Sequence, residues 1–460
     1  MLTVASDPCL SGSSTPDSLL NGKEQGETKN CKHYLTINRN DHPPETSEGV
    51  YLDGPVDDVE SLDGYHEGGY HPVQIGECFG ESAQYRVLHK LGDGGFSTVW
   101  LCRDTQNSRY VALNIMIATG DPDTTPELEI LTRLDYTLPG AEFIAIPLRR
   151  FTFQGPNGTH QALILPVLGP RVSPEVWSQM KTNPDVTLRR MARQEAQALD
   201  FLHKNKICHR GKLKLFNKDF RPGNILINLA NIDHLPETEV LNLIGLPKTI
   251  RVRHVSGGDV PSSCPPYLVE RCNLGGLNDY LTDKITIIDF GEAFHFSTPP
   301  KALGIPDSYQ PPELLLGESP APGPSADLWA LGCTLFEIRQ QIQLFYMLPN
   351  PDEIIADIVM LFGKLPNPLW DKWDSRNRFF DDNAHGPRAE DATLEMFLTR
   401  ELELWRPGPV ATWPRLITPE EEQKQLADLI YKLLKYEATE RLTAEEALEH
   451  VWLKNAGEGV

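Results

Sequence analysis

The run Leu91-Gly92-Asp93-Gly94-Gly95-Phe96-Ser97-Thr98-Val99 sets three glycines among four consecutive residues, between two stretches of β character. Those stretches are Tyr85-Arg86-Val87-Leu88 and Thr98-Val99-Trp100-Leu101, and a third follows at Tyr110-Val111-Ala112-Leu113. Glycines in a hairpin let backbone amides approach an anionic group without side-chain clash. A plain hairpin explains such a turn equally well, so the order of elements constrains the chain more than the turn does. The three runs predict an antiparallel sheet of hairpins. A short helix is expected over Pro126 to Leu134, with Leu128, Leu131 and Leu134 on one face. Beyond Leu165 the pattern turns helical: Leu188, Met191, Ala192, Leu199 and Leu202 recur at the spacing of one long amphipathic helix. A small β-rich lobe followed by a large helical lobe is an α+β arrangement with a cleft between its halves. No internal repeat is found.

Composition narrows the class. Hydrophobic residues make up 40% and charged residues 23% of the 460, enough apolar material for a sizeable core. No apolar run approaches the roughly 20 residues needed to span a bilayer, and the first residues lack the basic and apolar regions of a signal peptide. Eight cysteines without a CxxC pair predict reduced thiols in the cytoplasm or nucleus, with Cys264 and Cys272 free and partly buried. The net charge of -21 argues against direct nucleic-acid binding and suits a basic partner. Residues 41–70 hold nine Asp and Glu and no Lys or Arg. That acidic, Gly- and Pro-dotted stretch reads as a solvated tail, so residues 1–68 are expected to be disordered and order to begin near Tyr70.

Two further motifs carry chemistry. Thr286-Ile287-Ile288-Asp289-Phe290-Gly291 is a β run ending in a carboxylate, the hard oxygen ligand that Mg²⁺ prefers. Asp219-Phe220-Arg221-Pro222-Gly223-Asn224-Ile225-Leu226 offers an aspartate able to orient a hydroxyl and accept its proton. Five residues later Asn224 supplies an amide oxygen for a second metal ion. Farther on stand Pro311-Pro312-Glu313, Asp327-Leu328-Trp329-Ala330-Leu331-Gly332 and Arg441.

Taken in this order and spacing, the motifs resemble those of eukaryotic protein kinases, and the surrounding residues resemble the SR-protein kinases, particularly their divergent fungal-type members. The resemblance to that family rests on Gly69-Tyr70-His71-Pro72-Val73-Gln74-Ile75-Gly76, on Lys90-Leu91-Gly92, and most specifically on Phe96-Ser97-Thr98-Val99-Trp100-Leu101. Phe362-Gly363-Lys364-Leu365-Pro366 extends it into the helical lobe, and it covers roughly 69–453. It implies an N-lobe over 69–168 and a C-lobe over 169–453 with an insert at 229–280. It also implies an ATP- and Mg²⁺-dependent serine/threonine kinase, expected to be monomeric, that phosphorylates Ser in Arg/Ser-rich proteins. By the same resemblance Asp219 is the catalytic aspartate and Arg221 steadies the transferring phosphate. Glu127 is the glutamate of the N-lobe helix, and Asn224 and Asp289 are the metal ligands. The nucleotide would meet Gly92, Gly94 and position 114. Leu91, Val99, Ala112 and Leu226 would line the adenine slot, with Leu165 as gatekeeper. Glu313 would pair with Arg441, and Asp327 would brace the catalytic loop.

The chain departs from that pattern in three places. Asn114 stands where a lysine should pair with Glu127 and grip the α- and β-phosphates, and its side chain is shorter and neutral. Nine residues separate His209 from Asp219 where such families have one. Gly304-Ile305-Pro306 replaces a stretch in which a Thr commonly supports the catalytic loop. The sequence therefore leaves two readings: an active kinase, or a kinase-fold scaffold with little turnover. Asp352, Glu353 and Asp357 are candidates for presenting acid to substrate arginines; a solvated helix face is the plainer account of them.

Overall fold

In the computed structural model, the residues described are 49–54, 58–118, 126–172, 176–180, 183–209, 224–300, 306–317, 323–345, 350–381, 393–403 and 415–457. The chain order opens with β1 (Val50–Leu52), β2 (Cys78–Phe79), β3 (Tyr85–Gly94), β4 (Ser97–Asp104) and β5 (Arg109–Met116). Helix α1 (Pro126–Arg133) follows, then β6 (Arg149–Gly155) and β7 (Gly158–Leu165). Strands β2 to β7 form one antiparallel sheet in the order β2-β3-β4-β5-β7-β6. Its pleat explains its core. Trp100 and Cys102, Val111, Leu113 and Ile115, and Ala162 and Ile164 alternate onto one face and bury there with Val73, Phe79 and Tyr85. The intervening Leu101 and Tyr110 point the other way into a second cluster.

The large lobe begins with β8 (Leu168–Arg171) and α2 (Pro184–Lys204). Asn183 caps α2 by accepting from the Asp185 N–H, with Pro184 in the first turn. Leu188, Met191, Ala192, Leu199 and Leu202 are all buried, as the spacing requires. Next come β9 (Ile207–Cys208), β10 (Ile225–Leu229), α3 (Glu237–Ile244), β11 (Thr249–His254), β12 (Tyr267–Val269), β13 (Leu281–Ile287) and β14 (Phe294–His295). Helices α4 (Pro312–Leu315), α5 (Pro324–Gln340) and α6 (Pro351–Phe362) follow. Helix α5 is buried on every side from Ala326 to Gln340. Its Arg339 is held by a bidentate pair of bonds to Glu422 at 2.8 and 3.0 Å and by Asp185 at 2.9 Å. Among the described residues no helix is long and apolar enough to cross a membrane.

Two expectations need correction. The acidic stretch read as part of a tail is folded over 49–54 and 58–68; residues 1–48 lie outside the described ones. Strand β1 pairs antiparallel with β11, Val50 opposite His254, and β11 pairs with β12. The acidic residues there find partners: Asp53 meets Arg253 at 2.5 Å, and Glu60 is buried against Lys90. The insert 229–280, assigned to the C-lobe by its place in the chain, packs on the small-lobe sheet instead. Asp233 accepts from the Tyr110 N–H at 2.7 Å, Glu237 meets Arg86 at 2.5 Å, and Val240 and Ile244 of α3 bury against Leu88 and Leu101. Cys264 and Cys272 are buried thiols outside any disulfide, Cys264 Sγ lies 3.7 Å from the Tyr65 carbonyl, and burial pushes Cys272 up to about 12.

Candidate active site

The glycine turn closes the β3–β4 hairpin: Gly92 faces Val99, Asp93 faces Thr98 and Gly94 faces Ser97. A Cβ at Gly94 or Gly95 would meet nothing within 4 Å, so no neighbour crowds the loop on the side where those side chains would project. Beneath it, Ala112 of β5 pairs with Leu165 of β7, and Leu226 of β10 pairs with Thr286 of β13. Val99, Leu165 and Leu226 are only partly buried, whereas the neighbouring Leu113, Ile164 and Ile227 are sealed in cores. Half-covered apolar side chains at strand positions next to buried ones are what an apolar slot at the mouth of a cleft requires. Leu91 is also partly buried and packs on the second cluster beside Val167 and Leu229.

The polar side of the cleft is built by α1 and by the ends of β10 and β13. Helix α1 is anchored by Ile130, Leu131 and Leu134 in the main core; the Leu128 side chain lies outside the described residues. That anchoring carries Glu127, in the first turn, to the Asp289-Phe290 peptide, where its carboxylate accepts from the Phe290 N–H at 3.4 Å. Burial and the charge of Asp289 push Glu127 up to about 7. Asp289 has φ +68°, a left-handed conformation that Asp tolerates better than most residues and that commonly marks functional positions. Asn224 donates from Nδ2 to Asp289 Oδ2 at 3.3 Å, bringing the two expected metal ligands together. Phe290 is fully buried, with the His209 ring edge-on to it at 5.0 Å.

Asn114 lies on β5 opposite Val99 and Leu163, at the register expected for the lysine. Among the described residues its buried Oδ1 finds no hydrogen-bond partner. The position thus presents an unpaired acceptor where a cation would serve both Glu127 and phosphate oxygens.

Asp219, Arg221 and the interposed 211–218 lie outside the described residues, as do 301–305. What flanks them is described. Asp327 accepts from the His209 N–H at 3.1 Å and meets His203 Nε2 at 3.2 Å, so α5 braces the entry to the catalytic segment. Glu313 pairs with buried Arg441 at 2.8 Å, as the sequence led one to expect. Sequence reasoning missed Glu60, Tyr70 and Arg271, which gather behind the glycine loop; the only signal was that Tyr70 opens the motif marking where order should begin.

The donor set fits the groups it would hold. Carboxylate and amide oxygens suit Mg²⁺, which takes few protein ligands and fills its octahedron with water and phosphate. Among the described residues no trio of His, Cys, Asp or Glu forms a closed metal cage. Uncrowded glycines and the half-buried Val99, Leu165 and Leu226 suit a nucleotide. Position 114 does not meet the ordinary requirement for a phosphate-binding cation.

The family description "Protein kinase domain" matches residues 277–453. A "Serine/threonine-protein kinase SRPK" of Physarum polycephalum is 26% identical over 423 residues, 86% of this chain and 91% of that protein. Human "SRSF protein kinase 3" is 36% identical over 193 residues, 40% of this chain and 32% of that protein. A solved kinase-domain structure superposes with a TM-score of 0.52 at 20% identity, covering 83% of this chain and 98% of its own. Residues 277–453 thus match the protein kinase domain, the fold is that of a kinase domain, and the chain is similar to serine/threonine kinases of the SR-protein kinase type.

Proposed function

We propose that the protein is an ATP- and Mg²⁺-dependent kinase acting on serines in Arg/Ser-rich protein segments, with a phosphate grip weakened at Asn114. The observation that carries the reading is the assembled polar corner: Asn224 bonded to Asp289, Asp289 in its left-handed conformation, and Glu127 drawn to Phe290. Asn224 and Asp289 would hold Mg²⁺, which neutralises phosphate charge when bound. Asp219 would orient the substrate hydroxyl and take up its proton, and Arg221 would steady the phosphate. The names of the relatives, one of them an "SRSF protein kinase", support a substrate of that kind, and an acidic chain suits a basic peptide.

The alternative, a nucleotide-binding or scaffold module with little turnover, is favoured by one observation, the buried acceptor of Asn114 that has no partner among the described residues. A hydrogen bond to a charged group is worth about 1.5–3 kcal/mol, so one lost phosphate contact lowers turnover on the order of 10- to 150-fold. The two readings separate in a Mg²⁺-dependent phosphorylation assay on an Arg/Ser peptide. The active reading expects slow transfer by the unmodified chain, abolished by Asp289→Ala and raised by Asn114→Lys. Absence of transfer from both the unmodified and the lysine chain overturns it.

A further inference from the structure

Behind the glycine loop lies a buried ionic cluster that the chemistry above does not use. Lys90, on β3 two residues before Gly92, is fully buried. Its ammonium contacts the carboxylate of Glu60, itself 4% exposed, and lies 2.9 Å from Asp93 within the loop. The Tyr65 hydroxyl donates to the same Glu60 carboxylate. The Tyr70 hydroxyl donates to the Gly94 carbonyl at 2.8 Å. From the other side the insert closes in: Arg271 lies 3.6 Å from Asp93, its backbone N–H bonds Asp58 at 3.0 Å, and the next N–H, of Cys272, bonds the Lys90 carbonyl at 2.9 Å. A β-bulge between Lys90 and Gly92 lets Asp93 and Lys90 meet on one side of the strand.

Glu60 and Asp93 balance Lys90 and Arg271, so removing any one of the four leaves an uncompensated charge. Burial, together with Asp93 and Glu60, pushes Tyr70 up to about 12, so its hydroxyl stays protonated as a donor across the whole physiological range. A loop of three glycines has unusually large backbone freedom to lose. Here that freedom is taken up before any ligand arrives, by two segments the strand register alone would not bring there.

We propose that Tyr70 and Asp93 are positioning residues for nucleotide: through Lys90, Glu60 and Arg271 they hold the glycine loop in its phosphate-receiving shape, doing from behind part of what a lysine at position 114 does from below. The proposal rests on the nucleotide-site reading above and adds to it which residues set the affinity. Preorganisation of a flexible loop appears as tighter binding, because the ordering cost is met in the free protein.

The test compares the full chain with Tyr70→Phe and Asp93→Asn, and with Tyr436→Phe as a control whose lost hydroxyl bonds Gly363 in the helical lobe. Amide hydrogen exchange over 92–97 and the Kd of a non-hydrolysable ATP analogue with Mg²⁺ are measured for each. Tyr70→Phe and Asp93→Asn should speed loop exchange and weaken the analogue by about 3- to 10-fold, the scale of one hydrogen bond. The control should change neither, and the KM for a peptide substrate should not move. Loop exchange and Kd both within twofold of the unmodified chain overturn the proposal. Should the unmodified chain bind no nucleotide, the nucleotide reading itself fails, and loop exchange alone then judges whether the cluster holds the loop.

Discussion

Replacing Asn114 by lysine should change the pH dependence of stability in a direction set by Glu127. In the unmodified chain burial and Asp289 push that carboxyl from 4.5 up to about 7. An acid whose folded pKa lies above its unfolded one binds its proton more tightly in the folded state. Its contribution to stability is therefore greatest below pH 4.5, declines as pH rises toward 7, and stays low above. At ~1.4 kcal/mol per pH unit, that interval corresponds to at most about 3 kcal/mol lost between acid and alkaline conditions. A lysine beside Glu127 supplies the missing cation and draws its pKa back down. The variant should gain stability at pH 8, where the unmodified Glu127 is ionised and meets no cation among the described residues. It should gain little at pH 5, where Glu127 is protonated and a lysine must itself be desolvated. For a protein of this size about 1 kcal/mol corresponds to roughly 2 °C or less in Tm. The assay is thermal unfolding at pH 5, 6, 7 and 8 in EDTA without nucleotide, with Glu127→Gln as a companion. The lysine variant should unfold several degrees higher than the unmodified chain at pH 8 and nearly with it at pH 5, and Glu127→Gln should flatten the profile. An equal gain at both ends, or a larger one at pH 5, refutes the reasoning.

Arg441→Ala should cost about 3–5 kcal/mol, because it strands Glu313 and removes the guanidinium bonds to the Ser325 and Lys435 carbonyls; denaturant unfolding reads this directly. Gly140→Ala should destabilise by at least about 1–3 kcal/mol, since Gly140 has φ +98° and a Cβ there would lie 2.4 Å from the Gln197 carbonyl of α2; an unchanged midpoint contradicts this. Charge reversal by Glu353→Lys with Asp357→Lys should raise the KM for an Arg/Ser peptide and flatten its salt dependence, and an unchanged salt slope removes α6 as the docking face.

The parts of the fold legible in the sequence were those set by neighbours along the chain. Val111, Leu113 and Ile115 announce a strand by alternation, and Leu188 to Leu202 announce a helix by period, because each pattern is completed within a few turns or pleats. The polar corner was legible for a related reason: Asn224 and Asp289 sit at the ends of apolar β runs, and a carboxylate there needs a use. Strand β1 was not legible. It spans three residues, and its partner β11 lies about 200 residues later, so nothing local marks it. Glu60 misled more directly. In a stretch with nine acids and no Lys or Arg it reads as solvated, yet it is buried because its cation, Lys90, arrives from another element. Composition counts charges within a window, whereas burial depends on which charges meet across windows. The insert shows the same limit: its position in the chain assigned it to one lobe, while its apolar residues, Val240 and Ile244, found cover on the other.

The position of α1 bears on how deep the lesion at Asn114 goes. An ion pair from β5 to Glu127 is one way to hold that helix against the cleft, and this chain lacks it. Helix α1 is nevertheless seated, because Ile130, Leu131 and Leu134 bury in the main core and Glu127 takes the Phe290 N–H. Phe290 is in turn packed by His209, whose backbone is tied to Asp327 of the buried helix α5. That series of contacts fixes the helix, the Asp289 peptide and the entry to the catalytic segment without a cation at position 114. The departure is therefore one of local charge rather than of architecture. A single substitution to lysine has a formed site to act on, and it should strengthen phosphate binding without any compensating change elsewhere. A chain in which α1 depended on the ion pair would need the helix rebuilt before lysine could help, and would respond to Asn114→Lys with neither tighter nucleotide binding nor a shifted pH profile.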